Sequence, residues 1–91
     1  MRLDLYLKTS RLIKRRTLAK ELCDAGRVLV NGREGQPATE IRPGDRIEVR
    51  YASRAIVVEV LVVPADRRPV AADSLYRIVA ETRTPREEFP L

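Results

Sequence analysis

Arg2, Lys8, Arg11, Lys14, Arg15, Arg16 and Lys20 put seven cationic side chains within twenty residues, and Asp4 is the one acid among them. Guanidinium and ammonium groups at this density suit phosphate: they neutralise its charge and donate to its oxygens. Residues 21–50 hold five basic and six acidic groups, and residues 51–91 hold six of each, so the chain's net charge of +5 originates in the first twenty positions. The alternative is a solvated face that only confers solubility. One acid cannot neutralise seven bases by local pairing, so the pattern favours a patch that binds a polyanion.

Other chemistries lack their residues. The 91-residue chain has no His and one Cys, Cys23, so a His/Cys metal set, an intrachain disulfide and a Ser-His-Asp relay are all excluded. No catalytic residue, metal ligand or cofactor site is expected. Glu87-Glu88 and the Asp66/Asp73 pair fall in loop or tail positions, with no sign of a pocket around them. Gly26, Gly32, Gly35 and Gly44 all fall at turns and form no phosphate-cradling loop. The start, Met1-Arg2-Leu3-Asp4, lacks the apolar run of a signal peptide. The longest apolar stretch, Ala55 to Pro64, is interrupted by Glu59 and is too short to span a bilayer as a helix. A cytoplasmic protein with no membrane association is expected.

The elements that must position the cations follow from periodicity. Leu3, Tyr6 and Leu7 repeat at helical spacing, with Asp4 and Lys8 as an i,i+4 pair, which predicts a helix over about residues 2–8. Thr9-Ser10 ends it. A second helix is predicted from Thr17, its N-cap, to Ala25, with Leu18, Leu22 and Ala25 on an apolar stripe widened by Ala19 and Cys23. Gly26 suits the left-handed position that closes a helix. Val28–Val30 reads as a strand ended by an Asn31-Gly32 turn. Pro43-Gly44 reads as a type II turn, followed by strands over residues 47–51 and 56–63 with a turn at 52–54. A helical turn at 70–73 and a short strand over 75–80 are expected. The fold class is α+β: two N-terminal helices packed on a small, mostly antiparallel sheet. Residues 1–63 form the binding domain, 64–81 an extension completing the sheet, and 82–91 a flexible tail.

Tyr6 and Tyr51 occupy apolar-pattern positions and are expected in the core, as is Cys23. With an aromatic content of 4%, an open base-stacking sheet is disfavoured. The second helix carries no Asn or Gln for base edges, which disfavours duplex DNA. Structured RNA, read by shape and phosphate, fits best.

The strings Met1-Arg2-Leu3-Asp4-x-Tyr6-Leu7, Ser10-Arg11-Leu12-Ile13-Lys14-Arg15-Arg16, Ala19-Lys20-Glu21, Gly26-Arg27-Val28-x-Val30-Asn31-Gly32 and Pro43-Gly44-Asp45 resemble the S4 RNA-binding domain, the alpha-L motif, over about residues 1–60. The length and the 10–16 string are most similar to the bacterial ribosome-associated quality-control factor P family. That resemblance implies a non-enzymatic factor that binds large-subunit ribosomal RNA and peptidyl-tRNA on obstructed large subunits. It also implies a larger partner that recruits alanyl-tRNA, template-free alanine tailing of the stalled chain, and a monomer when free. By position, Arg2, Arg11, Lys14, Arg15, Arg16, Lys20 and Arg27 resemble the family's RNA-facing bases. Lys8 joins them through the charge cluster. Asn31 sits at the family's turn, shaping the loop more than touching RNA. The alternatives are the heat-shock-type S4 protein that recycles blocked free large subunits, and an RNA-binding accessory to a modifying enzyme.

Overall fold

A computed structural model describes residues 1–64 and 74–83. Helix α1 spans Leu3–Thr9 and α2 spans Arg16–Asp24. Five strands follow: β1 Val28–Val30, β2 Arg33–Glu34, β3 Arg46–Arg50, β4 Arg54–Val60 and β5 Tyr76–Arg83. They form one antiparallel sheet in the order β2-β1-β3-β4-β5. The α+β architecture is the expected one.

Both helices lie on one face of the sheet. Leu3, Tyr6 and Leu7 of α1 and Ala19 and Cys23 of α2 join Val28, Ile47, Val49, Ile56, Val58 and Val60 in a single buried cluster. The strand residues alternate, so Arg46, Glu48, Arg50 and Glu59 point to the opposite face. Tyr6 enters the core as expected, and its hydroxyl donates to the Leu75 carbonyl at 2.7 Å, tying α1 to the start of β5. Burial pushes the Tyr6 phenol up to about 12, with Tyr76 adding to the effect.

Several boundaries depart from the pattern-based expectation. Helix α2 begins at Arg16, with Arg15 as its N-cap and no side-chain cap. Thr17 therefore lies inside the first turn and cannot cap it. The buried stripe of α2 is Ala19 and Cys23 with Leu22 beside it, whereas Leu18 is 42% exposed. The helix is rolled so that its small residues enter the core, where they leave room for the neighbouring elements to pack closely. Strand β2 carried no apolar signal, since Arg33 and Glu34 are both exposed. Turn geometry creates it: Asn31 (φ 52°) and Gly32 (φ 83°) are both left-handed and pair Val30 with Arg33 in a two-residue hairpin. Strand β4 stops at Val60 rather than Val63, and Leu61 and Val62 donate instead to the Leu75 carbonyl. Strand β5 runs to Arg83, so Thr82 and Arg83 are sheet rather than tail. The helical turn expected at 70–73 and the tail from 84 onward lie outside the described residues.

Gly35 plays a part that turn chemistry does not suggest. It is buried, and a Cβ there would stand 2.6 Å from Leu3 Cδ2 and 3.1 Å from Val30 Cγ2. The chain passes close over the Leu3 and Val30 side chains, which would have to shift to admit a Cβ. Gly35→Ala is expected to destabilise the fold by ~1–3 kcal/mol through overpacking, read as a lowered midpoint in chemical denaturation.

Candidate nucleic-acid interface

Asp4 organises the basic region. Its side chain is 5% exposed, yet it touches two arginines from different helix ends. Arg2 Nε lies 3.3 Å from Oδ1 and Arg16 Nε lies 3.3 Å from Oδ2. The Leu5 amide donates to Oδ1 at 2.8 Å, so the carboxylate also satisfies one free N–H of the first helical turn. Arg2 and Arg16 keep about half their surface, at 51% and 47%. Each guanidinium is held by one edge and presents the rest to solvent. Arg2 is further fixed by an isolated antiparallel bridge to Glu40, whose carboxylate also pairs with the N-terminal ammonium at 3.0 Å.

The linker between the helices is equally constrained. Ser10 is buried and its hydroxyl donates to the Leu7 carbonyl at 3.2 Å. Arg11 adopts φ 62°, a left-handed conformation that L-residues rarely take. The Ile13 amide then bonds the Leu7 carbonyl, and the Ile13 side chain is buried. The Tyr51 hydroxyl donates to the Leu12 carbonyl at 2.6 Å from the end of β3. These contacts turn the chain sharply and leave Arg11, Lys14 and Arg15 exposed on the outside of the bend.

The expected site residues thus divide. Arg2 and Arg16 are anchored on Asp4. Lys8, Arg11, Lys14, Arg15, Lys20 and Arg27 are exposed, with no ion pair among the described residues. Asn31 is committed to structure: its amide group donates to Asp45 at 3.1 Å, and its carbonyl oxygen accepts from the Arg46 amide at 2.9 Å. Arg2 and Arg16, which charge alone marks as free surface groups, also carry structural contacts.

Charge pairing distinguishes this region from the far face of the sheet. There Arg50 meets Glu48 and Arg77 meets Glu59, both at 2.6 Å. The Arg77 hydrogen bond and charge, with Arg46 adding, hold the Glu59 carboxyl below its usual range. That face neutralises itself, and the helix junction does not. Past its first turn, α2 exposes Glu21 and Asp24, so the uncompensated charge belongs to the junction and the α2 N-terminus. Cys23 is buried, and burial raises its thiol to about 11, with Asp4 and Asp24 adding to the shift. It is a packing residue. No cluster of three or more potential metal ligands occurs among the described residues.

Sequence reading placed Tyr51 in the core and gave Arg50 and Arg54 no role. The structure ties Tyr51 to the junction through Leu12 and sets the Arg54 guanidinium 4.9 Å from its ring centre, while Arg50 ends the far face against Glu48. The signal available was the short string Arg50-Tyr51-x-x-Arg54 at a strand end.

Two short helices joined by a rigid basic bend, backed by a small antiparallel sheet, define an RNA-binding domain of the S4 class. The family model described as S4 domain matches residues 1–47. A protein of Streptococcus pneumoniae named RQC P-site tRNA stabilizing factor is 43% identical over 83 residues, 91% of this chain and 94% of that protein. The Bacillus subtilis protein of the same name is 41% identical over 83 residues, 91% of this chain and 96% of that one. Among solved structures, the trimeric Heat Shock Protein 15 of Vibrio cholerae is similar, with a TM-score of 0.78 at 30% identity, covering 88% of this chain and 82% of that one. The chain belongs to the S4 domain family and, within it, to the family of RQC P-site tRNA stabilizing factors. No described helix is long and apolar enough to cross a membrane.

Proposed function

We propose that this protein is a non-enzymatic RNA-binding factor of ribosome-associated quality control. It binds large ribosomal subunits obstructed by peptidyl-tRNA and steadies the tRNA in the P site, the role its relatives' name describes. The observation that carries this reading is the set of five exposed cations, Lys8, Arg11, Lys14, Arg15 and Lys20, without ion pairs among the described residues, around a bend fixed by Asp4, Ser10 and Tyr51. A rigid array of this kind recognises a folded RNA by phosphate spacing and loses little side-chain and loop freedom on binding. The chemistry of chain extension belongs to the ribosome and to a larger partner that brings alanyl-tRNA. The factor itself works in the cytoplasm, as a monomer when free.

The structural likeness to Heat Shock Protein 15 supports a second reading, a factor that recycles blocked free large subunits. Sedimentation of the purified protein with isolated subunits tests both. The expected result is binding to large subunits carrying peptidyl-tRNA, weaker binding to vacant large subunits and none to small ones. Equal binding to small and large subunits would refute the proposal. Capture of blocked large subunits from lysate without a tailing partner would favour the recycling role.

A further inference from the structure

The sheet end next to the α2 C-terminus holds a second cationic feature. Arg27 enters from the α2–β1 link, Arg50 and Tyr51 from the end of β3, and Arg54 from the start of β4. With Gly26 and Thr82 they line an open cleft of about 560 Å³. Small-ligand sites span ~300–1,000 Å³, a range that includes a single nucleotide. The Arg54 guanidinium over the Tyr51 ring makes a flat cation–π surface. Glu48 holds Arg50 at 2.6 Å, and Glu81 lies 3.7 Å from Arg54. Glu34 also reaches this end of the sheet, its carboxylate standing against Gly26, but Arg27 has no ion pair among the described residues. One exposed guanidinium suits one phosphodiester and not a polyphosphate. The Tyr51 bond to Leu12 seats the cleft against the helix junction, within reach of an RNA strand leaving it.

We infer that this cleft takes one unpaired nucleotide of the RNA held by the junction, with its phosphate at Arg27 and its base stacked on the Arg54–Tyr51 surface. Unpaired bases stack on aromatic rings and guanidinium planes alike, which gives an S4 domain a grip on single-stranded RNA beside its grip on shape. The inference rests on the junction binding RNA, and the two fail separately.

The test uses two RNA probes and the full chain. One is a blunt-ended hairpin; the other is the same hairpin with a short single-stranded 3′ extension containing 2-aminopurine. The extension is expected to raise affinity about five- to tenfold, at the lower end of what one stacked base contributes, and to quench the 2-aminopurine. Arg54→Ala is expected to abolish both effects and to leave blunt-hairpin affinity within about twofold, since exposed substitutions away from the contact move free energies little. Thermal melting checks its fold. Arg27→Gln, which removes the phosphate contact but neither the ring contact nor the Glu81 pair, gives an independent loss of the extension's advantage. An extension that adds no affinity, or an advantage that survives both variants, overturns the inference. A blunt hairpin that fails to bind refutes the junction reading instead. The extended probe still decides on the cleft: quenching lost in Arg54→Ala upholds it, and unchanged quenching overturns it.

Discussion

Asp4→Ala is expected to cost ~1–3 kcal/mol of stability and to weaken ribosome binding, although it adds one net positive charge to the interface. Removing one partner of a fully buried ion pair costs ~3–5 kcal/mol, because the other charge stays buried without compensation. Here Arg2 and Arg16 are about half exposed and return to water, so the loss is limited to three long charge-assisted contacts and the Leu5 amide bond. At ~4–8 °C per kcal/mol for a domain of this size, the melting temperature falls by roughly 5–20 °C. The effect on binding decides between two pictures of Arg2 and Arg16. If they act as diffuse charge, deleting the acid strengthens binding. If they act through placement, freeing their side chains weakens it. Placement is the expected winner, because Asp4 Oδ1 and Oδ2 each fix one guanidinium at 3.3 Å. Calorimetric melting and subunit affinity at fixed salt check both halves. Tighter binding by Asp4→Ala would show that the fixed geometry contributes nothing.

The double substitution Lys14→Ala/Arg15→Ala is expected to do the reverse, sparing the fold and impairing RNA binding. Both side chains are exposed, and neither has an ion pair among the described residues or caps α2. Stability should move by no more than about 0.5 kcal/mol. Each phosphate contact releases counterions, giving a slope of log K against log salt of about −0.7 to −0.9 per contact. If the native protein neutralises about five phosphates, its slope is roughly −3.5 to −4.5, and the double variant's should be shallower by roughly 1.4–1.8. At 0.1 M salt that corresponds to a roughly 25- to 60-fold loss of affinity. A salt titration of subunit binding measures both quantities. An unchanged slope would place the RNA elsewhere on the protein. Arg16→Ala differs from this pair, because it removes a binding group and loosens the Asp4 contact together, so its effects on stability and binding are mixed.

Much of the architecture was legible in the chain. Leu3, Tyr6 and Leu7 predict a helix and its buried face, and all three are fully buried. The alternation of Ile47 and Val49 with Glu48 and Arg50 predicts a strand with one wet face. Asn31-Gly32 marks a tight turn, and both residues have positive φ. The elements that escaped lack a local signature. Strand β2 is two exposed charged residues that pair only because the preceding turn brings them alongside β1. Leu18 fits the apolar stripe of α2, yet it is exposed because the helix packs through Ala19 and Cys23. Arg11 carries nothing in its side chain that calls for a left-handed backbone; the buried Ser10 and Ile13 on either side impose it.

The candidate interface divides along the same line. The sequence by itself determined which charges the protein carries and that they gather in the first twenty residues, because charge is a property of composition and solvent cannot move it along the chain. It determined the helix-then-sheet order, because apolar periodicity is a local property. Only the tertiary structure decided which cations are bound and which are free. Asp4 and Arg16 are twelve residues apart, and Tyr51 and Leu12 thirty-nine, and no local pattern encodes such pairs. Long-range packing converts seven similar cations into a fixed pair on a buried carboxylate and an exposed set around a rigid bend. The same packing carries Arg54, unremarkable in the chain, to the edge of that surface through Tyr51.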